Sequence, residues 1–246
     1  MIADGGKAIY GAHIGILMLE ARFPRIQGDM GNALSWPFPV HYRVVRGASP
    51  ERVVRRRAEG LLDAFIAAGR ELVADGADAV TTNCGFLSLY QAELSAALAV
   101  PVAASSLMQA ALIQATLPPG RRVGILTISA EAMTPEHLAA AGVPADTPVM
   151  GTEGGTELTR VILGDEPRLD VEAARADMTE AARALTAAHP DLGAILLECT
   201  NMVPYAADVS AATGLAVHSI HNFICWFQAS LAPRRFPAPE DALLRM

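Results

Sequence analysis

The residues most suited to chemistry in this 246-residue chain are two of its three cysteines. Cys84 closes the stretch AVTTNCGF (79–86), and Cys199 closes the same kind of stretch, AILLECTNM (194–202), 115 residues further on. Each reads as a short buried strand with a thiol just beyond its carboxyl end, where parallel α/β sheets bind ligands. A thiol ionises near pH 8.5 and lower beside backbone N–H groups at a helix start, so it can accept or donate a proton near neutrality. Two thiols on opposite walls of one crevice, about 7 Å apart and too far for a disulfide, would flank a reacting carbon. One face of that carbon loses a proton while the other receives one. The residues flanking the thiols are the candidate substrate contacts: Asn83, Gly85 and Phe86 on one side, Thr200 and Asn201 on the other. Backbone N–H groups at the two turns suit a substrate carboxylate and the charge that builds up as its α-proton leaves. Cys225, within FICWFQ, falls on a helical face among aromatics and reads as core.

Such a pair needs two similar frames, and the chain is written twice. IGILML (14–19) is answered by VGILTI (123–128), DAVTTNC (78–84) by GAILLEC (193–199), and LAVPV (98–102) by TGLAV (213–217). A period this long is domain duplication rather than a solenoid. The apolar runs predict strands at 13–19, 40–46, 79–84 and 100–104, then 122–128, 148–152, 194–199 and 216–220. Helical patterns fill the intervals, including one at 50–74 that carries the basic run RVVRRR (52–57) on a solvated face. Continuous apolar strands alternating with helices predict parallel sheets covered on both faces.

Residues 20–39 form a long connection rich in proline, glycine and aromatics, the composition of an ordered lid that keeps water from a carbanion. Its Asp29 or Glu20 is a candidate contact for a cationic substrate group, with a bond to its own loop backbone as the alternative for each. No metal site is expected: His218 and His221 have no third ligand at suitable spacing.

Composition narrows the classes. A net charge of −7 opposes nucleic-acid binding. The uncharged segment 94–120 is broken by Pro101 and polar residues and predicts strand and helix, not a membrane span. Three scattered cysteines make no disulfide framework, and with no secretory pattern at the N-terminus they point to a reducing cytoplasm.

The paired TNCGF and ECTNM in a duplicated α/β chain resemble the aspartate/glutamate racemase superfamily, which includes amino-acid and hydantoin racemases, maleate isomerases and arylmalonate decarboxylases. The resemblance implies two pseudo-symmetric flavodoxin-like domains, each a sheet of about four strands, with the active site in the cleft between them. It places residues 1–103 with 216–246 in the first domain and 104–215 in the second, Cys84 and Cys199 as the acid/base pair, no cofactor, and a homodimer or higher homo-oligomer. The expected activity is racemisation or epimerisation of a small carboxylate. Cys84-Gly85-Phe86 departs from the Cys-Asn-Thr of the amino-acid racemases. With the long insert, it looks closer to a sub-branch containing dimethylsulfoniopropionate lyases, which makes β-elimination or decarboxylation the alternative. A non-catalytic two-lobed binding protein is the alternative from another class.

Overall fold

In a computed structural model, residues 2–236 are described. The first half runs β1 (Ile14–Leu19), β2 (Val40–Val45), α1 (Pro50–Val54), α2 (Leu62–Asp75), β3 (Ala79–Thr82), α3 (Gln91–Ala97), β4 (Val102–Ala103) and α4 (Ala110–Thr116). The second runs β5 (Arg122–Thr127), α5 (Pro135–Ala140), β6 (Val149–Gly151), α6 (Leu158–Gly164), α7 (Val171–Ala188), β7 (Leu192–Leu197), α8 (Ala206–Thr213), β8 (Ala216–His218) and α9 (Ile220–Leu231). The strands make two parallel four-stranded sheets, ordered β2-β1-β3-β4 and β6-β5-β7-β8. The duplication legible in the sequence is therefore a duplication of topology.

All six residues of β1 are buried, because helices cover both faces of a parallel sheet. Matched glycines permit this covering. A Cβ on Gly15 would come within 3.0–3.1 Å of Leu72 and Ala77, and one on Gly124 within 3.0–3.2 Å of Leu192 and Leu185. The bare backbone lets α2 and α7 settle their leucines onto the centre of each sheet.

The final helix of each half crosses over. Helix α4 follows β4 of the first sheet but packs with Val123, Ile125 and Ala194 of the second. Helix α9 follows β8 of the second sheet but buries Ile220 and Ile224 against Ile14, Ile16 and Ala79 of the first. One part of the expected domain division is corrected. Strand β8, within the 216–246 segment assigned to the first domain, pairs with β7 in the second sheet. Three residues suffice to continue that ladder before Ser219 caps α9 and the chain departs. Met1 and residues 237–246, the ends of the expected first domain, lie outside the described residues.

The single helix expected over 50–74 is interrupted. Helix α1 stops at Val54, and Arg57 and Ala58 take left-handed φ values of 53° and 56°. The break buries Ala58 and leaves Arg55, Arg56 and Arg57 in solvent, so the second half of the basic run is a solvated turn, while Arg52 stays on α1. Among the described residues no helix is long and apolar enough to cross a membrane. The uncharged segment 94–120 spans the end of α3, β4, a short 3-10 turn and α4.

Candidate active site

Each cysteine follows its strand by two residues and starts a 3-10 turn: Gly85–Tyr90 after Cys84, and Thr200–Tyr205 after Cys199. The carbonyl of each cysteine accepts the first bond of its turn, from Leu87 N and Met202 N, both at 3.1 Å. The residues before them extend the ladders, with Asn83 N donating to Leu17 O (3.0 Å) and Glu198 N to Leu126 O (2.8 Å). The two turns are tied directly together. Thr200 Oγ1 donates to Asn83 O across 117 residues of sequence (2.7 Å), and Ser106 Oγ donates to Glu198 O (2.8 Å).

Both thiols open onto one cavity. Asn83, Cys84 and Phe86 line it from the first turn, and Glu198, Cys199 and Asn201 from the second. Leu19, Phe23, Pro50 and Val54 close it from the first half and Ile128 and Ile162 from the second. No lysine, arginine or histidine is among these lining residues. The cavity measures about 20 Å³, room for about one water molecule, so a wall must move before any substrate fits. Of the expected contacts, Asn83, Phe86 and Asn201 join the thiols there. Gly85 and Thr200 lie behind the wall: Gly85 packs on the Glu198 side chain, and Thr200 is spent on Asn83. All three cysteines are free, and Cys225 is only half buried, with its sulfur 3.9 Å from His221 Nε2. His221 donates from Nε2 to Ser35 O (2.8 Å) and stacks on Trp36, which gives it a structural place in the fold.

No protein-family model matches the chain. Its sequence is similar to a dimethylsulfoniopropionate lyase of Durusdinium sp. clade D, 29% identical over 84% of this chain and 71% of that protein. It is equally similar (29%) to dimethylsulfoniopropionate lyase 6 of Emiliania huxleyi, over 87% of this chain but only 59% of the relative's length. Among solved structures, unliganded arylmalonate decarboxylase superposes with a TM-score of 0.58 at 18% identity, covering 93% of this chain and 96% of that one. A glutamate racemase isoform from Bacillus anthracis gives 0.57 at 15% (89% and 81%). Picrophilus torridus aspartate racemase gives 0.53 at 12% (92% and 96%). The fold is that of the aspartate/glutamate racemases. The resemblance first seen in two cysteine motifs thus extends over nearly the whole chain, and the sequence relatives are the lyases of the expected sub-branch.

The long loop 20–39 is ordered and closes the cavity with Phe23. Phe23, Met30 and Trp36 are buried, with Trp36 Nε1 and Tyr42 OH both donating to Met30 O (3.1 and 2.9 Å). Besides the contact with His221, two sets of hydrogen bonds tie the loop to α6 and to the Cys199 turn. Asp165, in left-handed conformation at the end of α6, accepts from Arg22 N (2.5 Å) and Phe23 N (3.3 Å). Asp29 accepts from Asn201 Nδ2, while its other oxygen takes Arg25 Nη1 (2.9 Å) and Gly31 N (2.7 Å). Asp29 is 2% exposed and does not line the cavity. Its carboxylate is committed to its own loop and to Asn201, whose Oδ1 lies 3.4 Å from Cys199 Sγ.

The electrostatics differ from the sequence-based expectation. Backbone N–H groups of Phe86 and Leu87 do favour a Cys84 thiolate, but burial outweighs them and pushes the thiol up, with Glu198 adding to the rise. Burial likewise pushes the Cys199 thiol well above its ordinary value, followed by Glu198 and Cys84. Short 3-10 turns cannot offset burial in a closed cavity that already holds a carboxyl group. Glu198 was not among the expected site residues, although its place one residue before Cys199, at the end of an apolar strand, was a signal. His137 was also missed. It is fully buried with its ring meeting the edge of Phe86 (5.1 Å between centroids), and burial lowers its pKa to about 4.

Proposed function

We propose that the chain is a cofactor-independent lyase that removes the proton α to a small carboxylate and expels a cationic group from the β-carbon, acting through Cys84 and Cys199. The observation that carries this reading is the meeting of both thiols, from matched turns, in one closed cavity. A thiolate on one turn takes the α-proton; the electron pair left on carbon forms the C=C bond as the β C–S bond breaks. With a dimethylsulfonium leaving group, the sulfur departs as neutral dimethyl sulfide and the carboxylate product is an acrylate. The proton stays on the cysteine until it returns to solvent.

The cavity wall favours such a substrate. Its aliphatic side chains and the rings of Phe23 and Phe86 suit a sulfonium methyl group. A neighbouring cation would also oppose the burial that holds the thiols protonated, so that the substrate brings down the pKa of its own base. Closure of the 20–39 loop then keeps water from the carbanion. The lyase names of the sequence relatives agree with this choice. The racemase reading retains support from the two-sided thiol arrangement and from the fold, since a second thiol facing the carbanion can return a proton instead.

Incubation of dimethylsulfoniopropionate and a panel of α-substituted carboxylates in D₂O, followed by proton NMR, separates these readings. Acrylate and dimethyl sulfide signals support the lyase. Loss of an α-proton signal with the substrate otherwise intact replaces it with the racemase. Ligand-dependent thermal stabilisation with neither exchange nor product would replace both with a binding protein.

A further inference from the structure

Glu198 is a buried carboxyl group that two-thiol chemistry does not use. Its side chain is 0% exposed and faces the cavity that holds both thiols. Oε2 accepts from Thr127 Oγ1 (2.7 Å), but Oε1 is buried with no hydrogen-bond partner. Room for that oxygen exists because residue 85 is glycine, where a Cβ would stand 2.2 Å from it. In the repeat, the matching position before Cys84 holds Asn83, whose Oδ1 is used by Leu19 N (2.7 Å). Only the second turn therefore carries an ionisable group at this place.

We propose that Glu198 is a positioning residue that acts through the two thiols, allowing the cavity a single negative charge, carried either by its own carboxylate or by one thiolate. This inference rests on the cysteine-pair reading of the site. An ionised carboxylate with an unpartnered buried oxygen is costly, so the group favours its neutral form. Burial raises its pKa to about 7, against the opposing effects of the Thr127 hydrogen bond and of the nearby backbone N–H groups at Ile128 and Phe86. When it is neutral, a thiol can release its proton; when it ionises, both thiols are held protonated. The other charged or titratable groups around it are Arg25, which favours a Cys84 thiolate, Asp29, which opposes a Cys199 thiolate, and neutral His137 behind Phe86.

The test follows thiol ionisation and needs no substrate. Iodoacetamide alkylation of Cys84 and Cys199, resolved by mass spectrometry across pH 6 to 10 with Cys225 as internal reference, is compared in wild type and E198Q, which retains an acceptor for Thr127. Because alkylation follows the thiolate fraction, E198Q is expected to react on the order of tenfold faster at both cavity thiols near pH 8, its profile displaced to lower pH. Cys225 should be unchanged. If E198Q does not fold, T127V removes the donor to Oε2, keeps the acid neutral to higher pH and shifts the profile in the same direction by less. Superimposable profiles in a folded variant overturn the proposal, whereas the lyase reading stands or falls separately by its products.

Discussion

The two turns that present the thiols share a backbone and differ in nearly every side chain. In the first, Asn83 braces the end of β1, Gly85 is bare and Phe86 is buried against His137. In the second, Glu198 places a carboxyl group in the cavity, Thr200 reaches across to the first turn, and Asn201 joins Cys199 to the Asp29 of the closing loop. Duplication supplied equivalent thiols; divergence made one turn part of the packing and gave the other the adjustable polar groups. On the proposed mechanism, the Cys84 turn fixes the geometry and the Cys199 turn sets the charge and senses closure.

The most severe way to break this comparison is to remove each thiol. C84A and C199A are both expected to lose at least ~10³-fold in turnover while their thermal transitions stay close to wild type, because neither sulfur makes a bond that holds the fold. Activity within tenfold of wild type in either variant would show that the turns do not work as a pair. A contrast within the turns follows. F86A should cost about 3–5 kcal/mol in urea-monitored stability, since it empties a fully buried site beneath the first turn. N201A should cost little stability. If the two changes destabilise the protein equally, the division into packing turn and polar turn is wrong.

The pH dependence of stability isolates Glu198. Its folded pKa of about 7 lies above the ordinary 4.5, so the folded state binds more protons between these values and loses about 3 kcal/mol as pH rises through them. His137 acts oppositely. Its folded value of about 4 lies below 6.5, so stability is gained as pH rises from about 4 to 6.5, again by about 3 kcal/mol. In wild type the two slopes nearly cancel. E198Q removes the opposing slope, and its melting temperature should climb from pH 4.5 to 6.5; a curve parallel to wild type would show that the carboxyl group does not titrate in this window.

The sequence exposed the parts of this arrangement that repeat. Matched apolar runs ending in Cys84 and Cys199 specify both sheets and both thiols, because a strand buried on two faces leaves a continuous apolar signature. Residues whose role depends on the other half were not legible. Nothing local tells that Asp165 ends α6 in a left-handed turn that holds Arg22, or that Asp29 faces Asn201 across 172 positions. The left-handed break at Arg57 and Ala58 was hidden for the same reason: helical periodicity continues through it, and the interruption answers to packing. Glu198 stood beside a cysteine already singled out, but its burial depends on Gly85 in the other half.

The smallest expected effect bears on how the closing loop reports to the second turn. Among the described residues lining the cavity, Asn201 is the one hydrogen-bonded both to a thiol and to the loop, through Oδ1 and Nδ2 respectively. N201A does not touch the Asp29–Arg25 ion pair (2.9 Å in the wild-type chain), so the loop should keep its internal structure and lose only its link to the Cys199 turn. Closure then becomes less favourable by about the worth of one charge-assisted hydrogen bond, ~1.5 kcal/mol. Since a population change of that size is about tenfold, kcat/KM should fall about tenfold, with the larger part in KM. The Cys84 turn has no such link, so N83A should alter stability through its lost bond to Leu19 N without a comparable rise in KM. An equal rise in KM for N83A and N201A would mean that closure is sensed by the cavity as a whole, not by the turn that carries Cys199.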